Sequence, residues 1–222
     1  MTDCVWVSQA ADSQLNMFGF GWPVDTLTSD ERVERNNKII LADELGTPLS
    51  ADDLPTRLET KADMDLQEGT GHGPMLPERL PHVISWTCPI VSADVAAVLR
   101  EHDMGRSNLY PVELFRQDKG VSYPQSFFVL NIGEAKASII VDQSSGLRKV
   151  PSKVGAAFRL NFVTVDDSLA VERSSLHGSD IWVDPSIRGK AFFVSDRLHD
   201  AFVDAGLVDS FAFSRCKPLN TL

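Results

Sequence analysis

Five histidines and three cysteines are the side chains best able to ligate a metal or activate a nucleophile, so their spacing matters first. His72, His82, His102, His177 and His199 stand apart, none three or four residues from another histidine or a cysteine, as a zinc site on one element would require. Cys4, Cys88 and Cys216 form no metal-like pair, and Cys88 precedes Pro89 rather than opening a helix that would lower its pKa. The chain has no Gly-x-Ser-x-Gly elbow. Gly69, Gly71 and Gly73 alternate like a phosphate loop, yet no apolar strand precedes them and Pro74 follows where a helix should open. His177-Gly-Ser-Asp180 holds catalytic residue types, but four adjacent loop residues cannot form a relay by themselves. An enzyme would need remote residues gathered by folding, with His177, Asp180 and His72 as candidates. The expectation is no catalytic residue, no metal and no cofactor.

Carboxylates offer a different chemistry. Asp196, Asp200 and Asp204 recur every four residues and share one face of a helix. Like charges at that spacing disfavour the helix by roughly 0.2–0.5 kcal/mol per pair. The helix dipole favours Asp196 near its N-terminus and opposes Asp204 near the other end. Such a stripe is either a solvated face of an acidic protein or a surface kept for a basic partner. Asp52, Asp53, Asp63 and Asp65, in a polar excursion over residues 48–73, form a second acidic candidate.

The element that must position the first stripe lies within residues 190–213, which read strand, capped helix, glycine stop, strand. Residues 191–194 are an apolar strand-like run, and Ser195 stands as N-cap. Leu198, Ala201, Phe202 and Ala205 make one apolar stripe, and Gly206 ends the helix. The same grammar occurs earlier: Val91-Ser92 precedes a helix with Val95, Val98, Leu99 and His102 on one face, and Gly105 follows. Between these units, residues 126–131, 138–141, 157–165 and 181–183 alternate or run apolar like strands. The pattern predicts an α+β fold: a largely antiparallel sheet with two equivalent capped helices packed on it, plus an irregular N-terminal third. In that third, residues 5–7 suit a strand and Thr28 to Glu31 has capping-box spacing. Asn36 and Asn37 predict that the helix it starts is short, and residues 38–41 (KIIL) read as a strand. His199 falls on the flank of its helix and is expected to be exposed. Residues 1–79 are expected to be an extension or small lobe and residues 80–222 the main domain, with one continuous domain over 1–222 as the alternative.

Composition excludes whole classes. Twenty-one basic residues against 31 acidic ones leave a net charge of −10, which opposes binding to a nucleic-acid backbone and favours attraction to basic proteins. No apolar run approaches the length of a membrane span, so no membrane partner is expected. The N-terminus has neither a basic n-region nor a continuous apolar h-region, and free thiols suit a cytoplasmic protein.

Several short motifs, taken in order, resemble one family: LPHV at 80–83, PIVSAD at 89–94 with Val98-Leu99, YPVE at 110–113, SFFVLN at 126–131, DIW at 180–182, and AFFVSDRL at 191–198 with Ala205-Gly206-Leu207. Their order and the paired Val-Ser helices are similar to the eleventh numbered family of immunity proteins from bacterial polymorphic toxin systems, formerly a domain of unknown function. The resemblance covers residues 80 to the C-terminus, and Asp209-Ser210 departs from the glycine and apolar residue found there in similar proteins. It implies a non-enzymatic protein that binds and neutralises a cognate secreted toxin inside the producing cell. No toxin-contacting residue follows from it. An acidic inhibitor would gain association rate toward a toxin with a basic cleft. An adaptor or structural protein of the same fold, for which a self-complementary patch on a homodimer would speak, is the alternative.

Overall fold

The computed structural model describes residues 4–12, 18–23, 26–60, 77–116, 119–152, 156–161 and 164–220. The strands are β1 (Val5–Ser8), β2 (Phe20–Gly21), β3 (Arg57–Thr60), β4 (Val83–Ser85), β5 (Pro89–Ser92), β6 (Asn108–Arg116), β7 (Val121–Ser122), β8 (Phe127–Asn131), β9 (Leu147–Val150), β10 (Ala157–Leu160), β11 (Ala170–Glu172), β12 (Ile181–Trp182), β13 (Phe192–Ser195) and β14 (Phe213–Leu219). The helices are α1 (Ser29–Leu45), α2 (Ala93–Arg100) and α3 (Asp196–Asp204). The fold is mixed α+β.

The two Val-Ser units form as their sequences dictate. Ser92 Oγ accepts from the Val95 amide and Ser195 Oγ from the Leu198 amide, so each serine satisfies one orphan donor of its helix. Gly206, at φ +70°, closes α3: its own amide donates to Val203 O and the Leu207 amide reaches back to Phe202 O. This is a Schellman ending, which requires a left-handed residue that glycine adopts without strain.

The strands divide into two main sheets and a hairpin. One sheet runs β11-β14-β1-β13-β12, antiparallel except for β11 with β14. The other runs β2-β3-β6-β8-β5-β4 with β7 on β6, antiparallel except for β3 with β6. Each helix follows a strand of a different sheet, α2 after β5 and α3 after β13, and the two helices pack against each other. Their shared core joins Val91, Val95 and Leu99 to Phe192, Val194, Leu198 and Phe202. Each such side chain contributes about 1.5–3 kcal/mol by leaving water. Strand alternation feeds two further cores: Ile84 and Ile90 face Ile39 of α1, while Trp182 and Phe193 face Val5, Val7 and residues of the β9–β10 hairpin.

Some local expectations give way. Residues 38–41 are helical rather than strand, and α1 is 17 residues long despite Asn36 and Asn37. A complete Thr28–Glu31 capping box starts it, Gly46 at φ +63° ends it, and Ile39 is fully buried. Residues 138–141 are not a strand: Ile139 makes one bridge to Val171 and Val141–Gln143 is a 3-10 turn. The Asp184 carboxylate takes the Ser138 and Ile139 amides that a ladder would need. The sequence places the closing strand over residues 210–213, but Val208–Ser210 forms a 3-10 turn and the strand starts at Phe213. β10 ends at Leu160. The first strand, β1, lies between β13 and β14, so the N-terminal segment is woven into the same sheet as the C-terminus.

Candidate functional site

Two places gather the residues that the sequence singled out: the acidic face of α3, and a depression at its N-terminus. On α3, Asp200 and Asp204 are exposed and Val203 between them is 46% exposed. Asp196 differs. It is half-buried, and its Oδ1 accepts a 2.9 Å hydrogen bond from Trp6 Nε1. The three-residue stripe is therefore a two-residue exposed pair with a structural carboxylate at its start. No basic residue stands in the last turn of α3 to offset Asp204.

His199 is buried at 9% exposure, contrary to the expectation from its helix position. The cause is Trp6, brought beside α3 by β1. The two rings stack with centroids 3.7 Å apart and planes 4° from parallel, and Phe213 meets the imidazole edge-on at 5.4 Å. Its Nδ1 lies 3.3 Å from Asp200 Oδ1. Asp196, His199 and Asp200 bring one ligand-type atom each within 4.8 Å of one another. Histidine and cysteine spacing alone missed this Asp-x-x-His-Asp trio. As a cation site it is poorly placed, since the helix N-terminus repels positive charge and Asp196 is already engaged.

The second acidic candidate separates in the same manner. Asp52 is exposed, with its backbone carbonyl accepting from Arg35. Asp53 is committed: Lys38 and the Ser50 amide hold its carboxyl down at about 2. Asp63 and Asp65 lie outside the described residues, as do His72 and the Gly69–Gly73 cluster.

Beside the start of α3, a depression of about 370 Å³ is lined by Cys4, His177, Asp180, Ser195 and Arg197, among others. Here folding does gather remote residues. Asp180 is 1% exposed and saturated with donors: Ser195 Oγ at 2.6 Å, the Asp103 amide at 3.0 Å, and Arg197 Nη2 at 2.8 Å from each carboxylate oxygen. Burial alone would raise its pKa, but these donors outweigh it and hold the carboxyl below its ordinary value. Glu31, Asp53 and Asp167 are lowered likewise. General acid chemistry needs the opposite shift. Asp180 acts as a clasp joining the end of α2 to the cap of α3, a role visible in neither local motif.

Among the described residues, no helix is long and apolar enough to cross a membrane. No protein-family model matches the chain, and no curated protein matches it, so the likeness to immunity proteins rests on the motifs themselves.

Proposed function

We propose that the chain is a non-enzymatic immunity-type protein that binds a cognate secreted toxin in the producing cell and blocks it. The observation that carries the reading beyond the motif resemblance is the exposed Asp200–Asp204 pair on α3. These carboxylates weaken their own helix, yet the helix is fixed at both ends by the Ser195 cap and the Gly206 turn. A rigid element that presents two exposed like charges, Asp200 beside His199 Nδ1 and Asp204 one turn on, with the exposed apolar Val203 between them, suits recognition of a basic surface. The net charge of −10 adds long-range attraction to such a partner.

The test is a pull-down with tagged protein from the bacterial host that this reading implies, with mass spectrometry of the bound fraction. A stoichiometric toxin fragment is the expected result. With that fragment in hand, Asp200→Lys with Asp204→Lys should slow association about tenfold or more at low salt and much less at high salt. Absence of a toxin sinks the function, whereas an unchanged association rate removes only this helix from the interface.

A further inference from the structure

The net-negative chain carries a strongly basic groove among the described residues, on elements remote from α3 in the sequence. It has a volume of about 670 Å³ and lies between α1 and the β9–β10 hairpin. Arg148, Lys149, Arg159 and Arg188 line it, against the single carboxylate of Glu44. Glu44 pairs with Arg188, Oε2 to Nε at 3.5 Å. Among the described residues, Arg148, Lys149 and Arg159 meet no carboxylate, although acidic side chains outnumber basic ones by ten in the whole chain.

The register makes this arrangement costly. Arg148 lies directly opposite Arg159 across the antiparallel β9–β10 pair. A parallel bridge sets Phe158 beside Ile187, which puts the next residues, Arg159 and Arg188, side by side as well. Three arginines therefore form a row across adjacent extended segments. Like charges directly opposite in a sheet destabilise it. Leu147, Phe158 and Leu160 of the same hairpin pack into the core, so the hairpin is anchored and its basic side faces outward. Among the described residues no carboxylate offsets the Arg148–Arg159 pair, and a local rule broken in this way points to compensation from outside.

The opposite wall supplies apolar area. α1 buries Ile39, Ala42 and Asp43, and turns a second apolar stripe outward: Val33 is 59% exposed, Ile40 42%, Leu41 57% and Leu45 36%. Leu41 and Leu45 line the groove. A soluble-facing helix normally sets polar residues on that side.

We propose that this groove docks an acidic amphipathic segment of a partner protein, its apolar side on Leu41 and Leu45 and its carboxylates on the arginine row. Bidentate pairing with guanidinium favours carboxylates held at fixed geometry, and the leucines favour a protein segment over a bare anion. The groove shares no residue with the acidic face of α3. This binding is independent of the proposed toxin contact and takes a partner of opposite charge.

The test uses two fluorescein-labelled amphipathic helical peptides with leucine along one side, one with glutamates at its edges and one with lysines there. Fluorescence anisotropy should show binding of the glutamate peptide only, weakening as salt rises. Arg159→Glu and Leu41→Asp should each reduce that affinity about tenfold or more. Both positions are exposed, and Arg159→Glu turns a like-charge pair into an opposite one, so its Tm should rise while binding falls. Equal binding of the two peptides, no binding of either, or indifference to both substitutions overturns the proposal. So does a Tm that falls in Arg159→Glu, tighter binding of a single-stranded oligonucleotide, or a dimer in sedimentation velocity that Leu41→Asp dissolves, which would make a second copy the occupant.

Discussion

Trp6 and His199, 193 positions apart, stack face to face with ring centroids 3.7 Å apart. The same indole donates Nε1–H to Asp196, so one side chain of β1 secures both the start and the first turn of α3. Trp6→Ala should cost about 3 kcal/mol, at the low end for a tryptophan because it is only partly buried. Trp6→Phe keeps a ring on His199 and loses the hydrogen bond to a charged acceptor, at about 1–2 kcal/mol. Urea denaturation of the two variants separates the contributions. Equal losses would mean that the ring contact stabilises nothing.

Acid should unfold the protein through carboxyls whose folded pKa is depressed. Asp180 is one, where the donors from Ser195, Arg197 and the Asp103 amide outweigh burial; Asp53, held at about 2 by Lys38 and Ser50, is another. The unfolded chain takes up protons at these groups near pH 4, while the folded chain resists until lower pH. Their stabilisation is complete above the unfolded pKa and lost as pH falls through the folded one. Tm should therefore drop steeply from pH 4 toward 2, and Asp180→Asn should start lower and fall less. Parallel profiles for the two proteins would exclude Asp180 from the acid transition.

What was legible in the sequence was local, and what was not depended on distant partners. Ser92, Ser195 and Gly206 announce their caps because a hydroxyl or a positive φ acts within one helical turn. Residues 5–7 read correctly as a strand, but nothing near them says that β13 and β14 flank it. The burial of His199 follows from that pairing, so a helix-wheel reading placed it outside. Ile39 and Ile40 suggested a strand by β-branching, and the capping box, the Gly46 stop and the burial of Ile39 outweighed that weak preference. The exposed Asp200 and Asp204 were legible as a helix face. The arginine row was not, because Arg148 and Arg159 meet only through hairpin register.

Lys136 predicts an unusual alkaline response. Its Nζ donates to the carbonyls of Ser175, His177 and Ser179 at 3.0, 3.0 and 2.8 Å, and sits 3.7 Å from the Trp182 ring centroid. Burial pulls its pKa down to about 8, against the pull of Asp180, Glu134 and Asp103. Between pH 8 and the unfolded value near 10.5 the unfolded chain holds more protons at this site, so its contribution to stability rises with pH. Lys136→Met loses the three hydrogen bonds but also the cost of burying the charge, so it should change stability little at pH 7 and should lack that rise. Thiol ionisation acts on both proteins alike, so the difference between their Tm curves from pH 7.5 to 10 isolates the lysine. A constant difference would refute the assignment.

Asp184 offers the sharpest test of what holds the sheet edge. It is 2% exposed, and its Oδ2 accepts from the amides of Ser138 and Ile139 at 2.7 Å each and from Ser138 Oγ at 3.2 Å. Oδ1 accepts from the Ser186 amide at 2.8 Å and from Ser186 Oγ at 2.7 Å. Every partner is a donor, so both oxygens must be acceptors. Asparagine is nearly the same size but turns one acceptor into a donor facing buried N–H groups. Asp184→Asn should therefore cost about 3 kcal/mol, while Ser186→Ala, which deletes one donor and leaves the carboxylate intact, should cost about 1 kcal/mol. Urea unfolding compares the two. Hydrogen exchange at Ser138 and Ile139 should accelerate in Asp184→Asn beyond the change expected from global stability, because that carboxylate replaces the strand ladder these amides lack. Unchanged relative protection there would show that the carboxylate is a bystander and that the fold around residue 138 is held by packing.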